Sequence, residues 1–585
     1  MINPAPVLLE FSLFCGGSVA FAEPMHTPTK MPKTMLKLNR FLFFRLCLVT
    51  ALLLNVATGF AAEKPNIVFI FADDLGYNHL SSYGAPKIKT PVLDQMAAEG
   101  IRFTDFYAGA SVCTPSRYAL LTGRYPHRAK DRAMLRWIEP PHETGGMSDS
   151  EITVAEKLKE LGYATAAIGK WHLGDSEKYF PMKHGFDYWW GLANNPYHRA
   201  YDKGVPMYEN STIAIQPVDL ATLTRSYTEK AIGFIEQSVA ADKPFFLYLP
   251  HTYPHGPLHC SPEFCGTSAG GLIGDTIEEI DWSTGQILAK LKELGIDSNT
   301  LVIFTSDNGP SPRQSGDNKD AYPLRNVKAS VYEGGIRVPT IARWPGKITG
   351  KKVEGSPAVM MDWFPTFMAM AGGKMPTDRP HDGRDISSVL FGTGVRTDSE
   401  FYANYIDPWT NDVIEPVYEI MEHRSGKWKY VALNDGELYN LEADISETTN
   451  LKDAHPEIYK RLKNEYDFFT QSIANAPAPG DIDGDGIPDK WETANGLDPT
   501  YTIDAYLDPD GNGKTAYEEY AGNATPTWVT ASTPLLAPSP KYFERRRELQ
   551  KEASLTCNPK KCNDKSCFSK ACYQRIMDKI RDFKP

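Results

Sequence analysis

No surplus of positive charge exists in this chain: 62 Lys and Arg stand against 73 Asp and Glu, a formal charge of −11, with an isoelectric point near 5.7. A general nucleic-acid binder is basic, so that class is excluded, and any anionic ligand has to be captured by a local cluster of cations. Long apolar runs are also missing. The one extended run lies inside "MPKTMLKLNRFLFFRLCLVTALLLNVATGFAA" at 31–62. It is short for a bilayer crossing and no second follows, which argues against a stable membrane span. Lys33, Lys37, Arg40 and Arg45 ahead of it and small residues behind it predict a secretory signal cut near Ala61 or Ala62. The protein is then secreted, periplasmic or extracellular. Residues 1–30 form an upstream extension, and Met31 or Met35 makes a better start than Met1.

Cysteine is scarce, nine in 585 residues. Cys15 and Cys47 fall in the leader, which leaves Cys113, Cys260, Cys265, Cys557, Cys562, Cys567 and Cys572, an odd number. If Cys260 pairs with Cys265 and the last four pair among themselves, Cys113 is left over, and an unpaired cysteine in an exported chain needs an explanation. Residues 541–585 carry thirteen Lys and Arg against six Asp and Glu around the evenly spaced "CNPKKCNDKSCFSKAC". That spacing lacks the C-x2-C pairs zinc favours, so the tail reads first as a disulfide-stapled, solvated basic knob and second as a patch for polyanionic glycans.

Against these absences, 42% hydrophobic residues are enough to bury a large core. The mature sequence opens with "KPNIVFIFADDLG", an apolar run that stops at two aspartates, and "YATAAIGKWHLG", "KPFFLYLPHTYPHGP" and "NTLVIFTSDNGP" repeat the pattern. Helical patterns such as "TPVLDQMAAEGI" and "EITVAEKLKELG" lie between them. The alternation predicts an α/β fold, a large mostly parallel mixed sheet sandwiched by helices, spanning 63–345 after a leader at 1–62. Ligands of such sheets gather at the carboxyl ends of strands, which here carry Asp73 and Asp74, Lys170 and His172, His251 and His255, Asp307 and Asn308.

From Pro345 the texture changes to shorter strands, a hairpin-like "KWKYVALNDGELYNL" and a closing helix "HPEIYKRLKNEYDFFTQSI", which predicts a smaller α+β subdomain at 346–475. A linker at 476–480 leads to paired acidic loops at 481–523, followed by a linker and the Cys-rich tail at 524–585. "DIDGDGIPDKWE" and "DPDGNGKTAYEE" both match an EF-hand-like calcium loop. Calcium needs oxygens at alternating positions, a sharp glycine turn and a terminal carboxylate. The expected ligands are Asp481, Asp483, Asp485, Asp489 and Glu492 in one loop and Asp508, Asp510, Asn512 and Glu519 in the other. Their competing reading is a pair of acidic solvated turns.

In the main sheet, three carboxylates and an amide from Asp73, Asp74, Asp307 and Asn308 suit a hard cation such as Ca²⁺ or Mg²⁺. An Asp pair alone reads as a cap or turn; recurrence at equivalent strand ends is what favours metal. "CTPSRYALLTG" predicts a helix whose start places Cys113 and Arg117 on about the same face. A helix start with a guanidinium favours an anion; Lys170 and Lys328 add cations, and His172 and His255 add groups able to move protons. Singly, each has a bland role as a surface lysine, a core histidine or an ordinary ion pair.

"CTPSRYALLTGR" resembles the C-x-P-S-R…L-T-G-R segment of the type I, formylglycine-dependent sulfatases of the alkaline phosphatase superfamily. The resemblance extends in order through "PNIVFIFADDLG", "GKWHLG", "HGFDYWWG", "PHGPL", "VIFTSDNG", "KASVYEGGIRVP" and "ELYNLEADISETTNL", from about residue 64 to 470. It implies that a formylglycine-generating or anaerobic sulfatase-maturing enzyme oxidises Cys113 to 3-oxoalanine. The aldehyde hydrate would attack sulfur, displace the alcohol and then expel sulfate. It further implies that Asp73, Asp74, Asp307 and Asn308, with the modified Cys113, hold calcium. Arg117 and Lys170 would fix the hydrate, and His172 would act as the base. His255 and Lys328 would bind sulfate and serve the leaving oxygen. His255 fits the P-H-x-P pattern better than His251, which packs or lines the pocket; Arg313 and Asp317 either contact substrate or sit in a polar loop.

The resulting expectation is an exported sulfatase acting on a sulfated polysaccharide or its oligosaccharides. Two other readings stand beside it: a phosphodiesterase or phosphonate monoester hydrolase of the same superfamily, and a catalytically inert, calcium-dependent glycan-binding protein. A cysteine-protease reading gains nothing from the residues around Cys113. "WWGLANNPYHRAY" offers aromatics either for sugar or for the core.

Overall fold

The computed structural model of the chain describes residues 64–521 apart from 136–137, 139–144, 198–200, 313–320, 395, 397–400, 405–419, 475–479, 503 and 507–514. The leader, the linker at 476–479 and the Cys-rich tail lie outside the described residues, as do Arg313, Asp317, Asp508, Asp510 and Asn512. Among the described residues no helix is long and apolar enough to cross a membrane.

The strands in chain order are β1 (Asn66–Ala72), β2 (Ile101–Phe103), β3 (Phe106–Tyr107), β4 (Ala164–Ile168), β5 (Tyr188–Gly191), β6 (Met207–Glu209), β7 (Thr212–Ile215) and β8 (Phe245–Pro250). They continue with β9 (Thr300–Ser306), β10 (Thr340–Arg343), β11 (Lys352–Glu354), β12 (Ala358–Val359), β13 (Phe401–Asn404), β14 (Ile420–Ser425), β15 (Trp428–Val431) and β16 (Glu437–Asn440). Ten of them form one sheet in the order β11-β2-β10-β9-β1-β8-β4-β5-β6-β7. Its centre, from β9 to β5, is parallel, and β10, β6 and β7 run antiparallel to their neighbours.

The apolar runs are continuous because both faces of the sheet are covered. Along β1, Ile67, Phe69 and Phe71 enter one buried cluster, and Val68, Ile70 and Ala72 enter the other. The period-two alternation of a strand thus feeds two helical layers. One layer holds the helix Cys113–Thr122 through Tyr118, Leu120 and Leu121 and the helix Trp363–Ala371 through Trp363 and Phe367. The other holds the long helices Leu223–Ala240 and Gly271–Glu293. The helix Val154–Glu160 starts on a capping box, Thr153 with Glu156, as "TVAE" signals.

β11 and the helix Trp363–Ala371 follow the change of texture at Pro345, yet they join the large sheet and its packing. The hairpin-like "KWKYVALNDGELYNL" forms β15 and β16 of a separate four-stranded antiparallel sheet, against which the helix Pro456–Ala474 packs through Leu462 and Tyr466. Trp189 and Trp190 are buried; Trp189 sits between Phe180 and Tyr208, with ring centroids 4.8 and 5.3 Å away. These aromatics therefore belong to the core.

Candidate active site

Four parallel strands end side by side and hand their next residues to one space. β1 delivers Asp73 and Asp74, β9 delivers Asp307 and Asn308, β4 delivers Lys170 and His172, and β8 delivers the segment with His251 and His255. From the helical layer Cys113, first residue of its helix, enters the same space. Ligand-capable atoms of Asp73, Asp74, Cys113 and Asp307 all lie within 4.8 Å of one another, and so do those of Asp73, Cys113 and His255.

The Cys113 thiol lies 3.3 Å from Asp73 Oδ1, 3.8 Å from Asp74 Oδ1 and 3.0 Å from Lys328 Nζ. Burial, with the Asp73 charge, pushes this thiol well above its ordinary range despite Lys170 and Lys328. Cys260 and Cys265 form a disulfide, and Cys113 is the free cysteine among the described residues.

Arg117, one turn on, is fully buried. Its Nε and Nη2 donate to Asp307 Oδ2 at 3.2 and 2.8 Å, Nη1 donates to the Lys170 carbonyl at 2.8 Å, and Nη2 lies 3.3 Å from Asp73 Oδ2. Burial alone would lower its pKa, but Asp307, Tyr248, Asp73 and Cys113 together outweigh that and raise it. Lys170 pairs with Asp73, and Lys328 Nζ lies 2.5 Å from Asp74 Oδ1. Burial likewise would raise Asp73, but Lys170, His255, Arg117 and Lys328 together hold its carboxyl well below the usual range. Asp307 moves the other way, to about 7, because burial and the neighbouring Asp73 outweigh Arg117.

The four oxygen donors fit a divalent cation. Asp74 Oδ2 and Asn308 Oδ1 are buried and lack a hydrogen-bond partner, while Asn308 Nδ2 donates to Asp74 Oδ1 and to the Gly309 carbonyl, both at 2.8 Å. Those two bonds fix the amide with its oxygen left over, and an orphaned buried acceptor among carboxylates suits a hard cation.

His172 Nε2 donates to the Ile138 carbonyl at 2.9 Å, which leaves Nδ1, buried and without a partner, as the lone-pair nitrogen. Burial, with Lys170 and Arg117, holds this imidazole well below its ordinary value. His255 donates from Nδ1 to the Gly256 carbonyl at 2.6 Å and turns Nε2 toward Asp74 Oδ2, 3.8 Å away. Burial and Lys170 push it down to about 4. His251 is fully buried beside Tyr227, 6.2 Å between ring centroids, outside both ligand groups.

Asp74, His172 and Ala329, next to Lys328, have φ of 64°, 62° and 69°. Left-handed non-glycine backbone costs about 1–3 kcal/mol per residue, and such strain concentrates at functional sites. Sequence reasoning missed two supporting residues. Thr114 donates to the His172 carbonyl at 2.9 Å, and Ser306 accepts from the Leu75 amide at 2.9 Å. Thr114 lies inside the quoted Cys113 motif and was the one within reach.

In the acidic loops, Asp483, Asp485 and Glu492 come together, whereas Asp481 and Asp489 accept backbone N–H groups of Gly484, Gly486 and Ile482. Glu519 falls in the helix Ala516–Ala521.

A sequence model of the sulfatase family matches residues 65–373, and one for the C-terminal part of N-sulphoglucosamine sulphohydrolase matches 327–471. The chain is 40% identical over 362 residues to N-acetylgalactosamine-6-sulfatase of Canis lupus familiaris, covering 58% of this chain and 69% of that one. It is 36% identical over 465 residues to arylsulfatase A of Homo sapiens, covering 71% and 89%. Among solved structures, Ps i-CgsB in complex with k-i-k-neocarrahexaose is similar with a TM-score of 0.62 and 28% identity, over 69% of this chain and 92% of that one.

Proposed function

Because this chain belongs to the sulfatase family of the alkaline phosphatase superfamily and is a sulfuric ester hydrolase, we propose that it is an exported sulfatase of sulfated polysaccharides or their oligosaccharides, dependent on calcium and on 3-oxoalanine at position 113. The observation that carries this reading is the convergence of Asp73, Asp74 and Asp307 on Cys113, inside a ring of Arg117, Lys170 and Lys328.

The residues present support the assignments. Calcium held by Asp73, Asp74, Asp307 and Asn308 would supply fixed positive charge that polarises sulfate oxygens. Oxidised to 3-oxoalanine and hydrated, Cys113 would supply the hydroxyl nucleophile. As a buried, protonated thiol it is a poor nucleophile, which weighs against thiol chemistry. Arg117 orients Asp307 and Asp73 through its fork, and Lys170 and Lys328 hold a cationic wall beside the nucleophile. Nδ1 of His172 is the free base nitrogen. His255 Nε2 faces the pocket, and an entering sulfate anion raises its proton affinity, which suits a donor to the leaving oxygen. Similarity to an N-acetylgalactosamine-6-sulfatase and to a structure in complex with k-i-k-neocarrahexaose supports a sulfated sugar.

The test is release of inorganic sulfate or phosphate from chondroitin 6-sulfate oligosaccharides, carrageenan oligosaccharides, an aryl sulfate and an aryl phosphate. Sulfate release from at least one oligosaccharide, with the aryl phosphate turned over more slowly than the aryl sulfate, is expected. Preference for phosphate would replace this reading with a phosphoester hydrolase, and no turnover of any of them by 3-oxoalanine-bearing protein would leave the glycan-binding one.

A further inference from the structure

We propose that a divalent cation, calcium by its ligand chemistry, is held by Asp483, Asp485, Glu492 and Asp504, and that this ion fastens the C-terminal loop to the segment behind the Cys113 helix. The inference is independent of sulfate hydrolysis. Ligand atoms of the four carboxylates lie within 4.8 Å of one another. Exposure is 1%, 1%, 0% and 4% in that order, so this is a buried cluster and not an acidic surface.

Two observations point to a ligand. Both oxygens of Glu492 are buried without a hydrogen-bond partner. Each aspartate spends one oxygen on a backbone amide, Asp483 on Asp485, Asp485 on Ile487 and Asp504 on Asp498, at 3.2, 2.7 and 2.7 Å. The other oxygen of each is left unpartnered. One from each of three aspartates and two from Glu492 make five oxygens, a calcium-like set with a terminal glutamate free to bind through both. The nearby guanidiniums are committed elsewhere, Arg128 to Asp382 at 3.0 Å and Arg384 to Asp498 at 3.6 Å. Burying unpaired carboxylates together is costly, and a cation removes that cost.

Asp504 lies outside the twelve-residue loop pattern. The pattern's first and ninth residues, Asp481 and Asp489, instead tie the loop's own amides. The site is also wired to the main body. Thr502, two residues before Asp504, donates to the Asp483 carbonyl at 3.0 Å and accepts from Arg128 Nη2 at 3.0 Å. Asp382, the other partner of Arg128, accepts the Tyr125 amide at 2.7 Å and donates its own N–H to the Gly123 carbonyl at 2.9 Å. Gly123 ends the helix that Cys113 begins.

Full-length protein dialysed against labelled calcium at fixed free magnesium supplies the test, with bound calcium counted per chain. Asp504→Asn is expected to bind one ion fewer than wild type. Combined with Asp307→Asn it is expected to lose two, because the sites are separate. An unchanged count and affinity in Asp504→Asn overturns the assignment. Glu492→Gln, which preserves shape, carries the same contrast should Asp504→Asn fail to fold. A wild-type thermal midpoint that stays put between chelator and calcium sinks the proposal without any variant.

Discussion

His184 illustrates how surroundings set a single residue's charge. It is buried, stacked on Trp171 with ring centroids 5.9 Å apart, and burial holds it at about 4 against an ordinary 6.5, although Asp149 pulls the other way. A histidine depressed in the folded state contributes stability that is complete above 6.5 and is lost as pH falls toward 4, because the unfolded chain binds the proton first. The difference is worth about 3 kcal/mol. His184→Phe is therefore expected to lose less stability than wild type between pH 7 and pH 5, read from urea midpoints; parallel losses would refute the assignment. Arg117 was legible as a cation beside Cys113, but its partner was not. Asp307 lies 190 positions away, and only the meeting of β1 and β9 with the Cys113 helix makes them neighbours.

At the scale of elements, the site depends on strand ends that approach closely. Gly169 links β4 to Lys170 with φ of 135°, and a Cβ there would sit 1.9 Å from the Pro250 carbonyl oxygen at the end of β8. Backbone cannot swing aside as a side chain does. Gly169→Ala is expected to cost at least about 3 kcal/mol in chemical denaturation and to displace Lys170 and His172, with kcat falling. Gly162→Ala, where φ is 88° but nothing lies within 4 Å, is expected to cost only about 1 kcal/mol. Equal effects would contradict the close-approach account. Most of this architecture was legible because an apolar run that halts at Asp, Lys or His marks a buried strand and its functional end together. The antiparallel flanks β10, β6 and β7 were less so, being short and without a distinct period. Asp504 was invisible because the calcium-loop pattern is local, whereas this carboxylate arrives from a later turn.

Across the whole molecule, the catalytic layer is braced from the C-terminal side. Lys429 of β15 is fully buried and pairs with Glu333 and Glu447, each at 2.9 Å, while donating to the Val331 carbonyl at 2.8 Å. Glu333 begins a short helix soon after Lys328, so the four-stranded sheet supports the segment that presents a lysine to Cys113. In the proposed function, sulfate hydrolysis belongs to a Cys113 converted to 3-oxoalanine and not to the thiol. The most direct measurement pairs two quantities on preparations matured to different extents: the fraction of aldehyde in the Cys113 peptide by mass spectrometry, and the initial rate of sulfate release. The rate is expected to rise in proportion to aldehyde, and Cys113→Ala, folded by circular dichroism, is expected to be slower by about three orders of magnitude or more. Full-rate sulfate release by protein whose Cys113 is entirely thiol would contradict the proposed function.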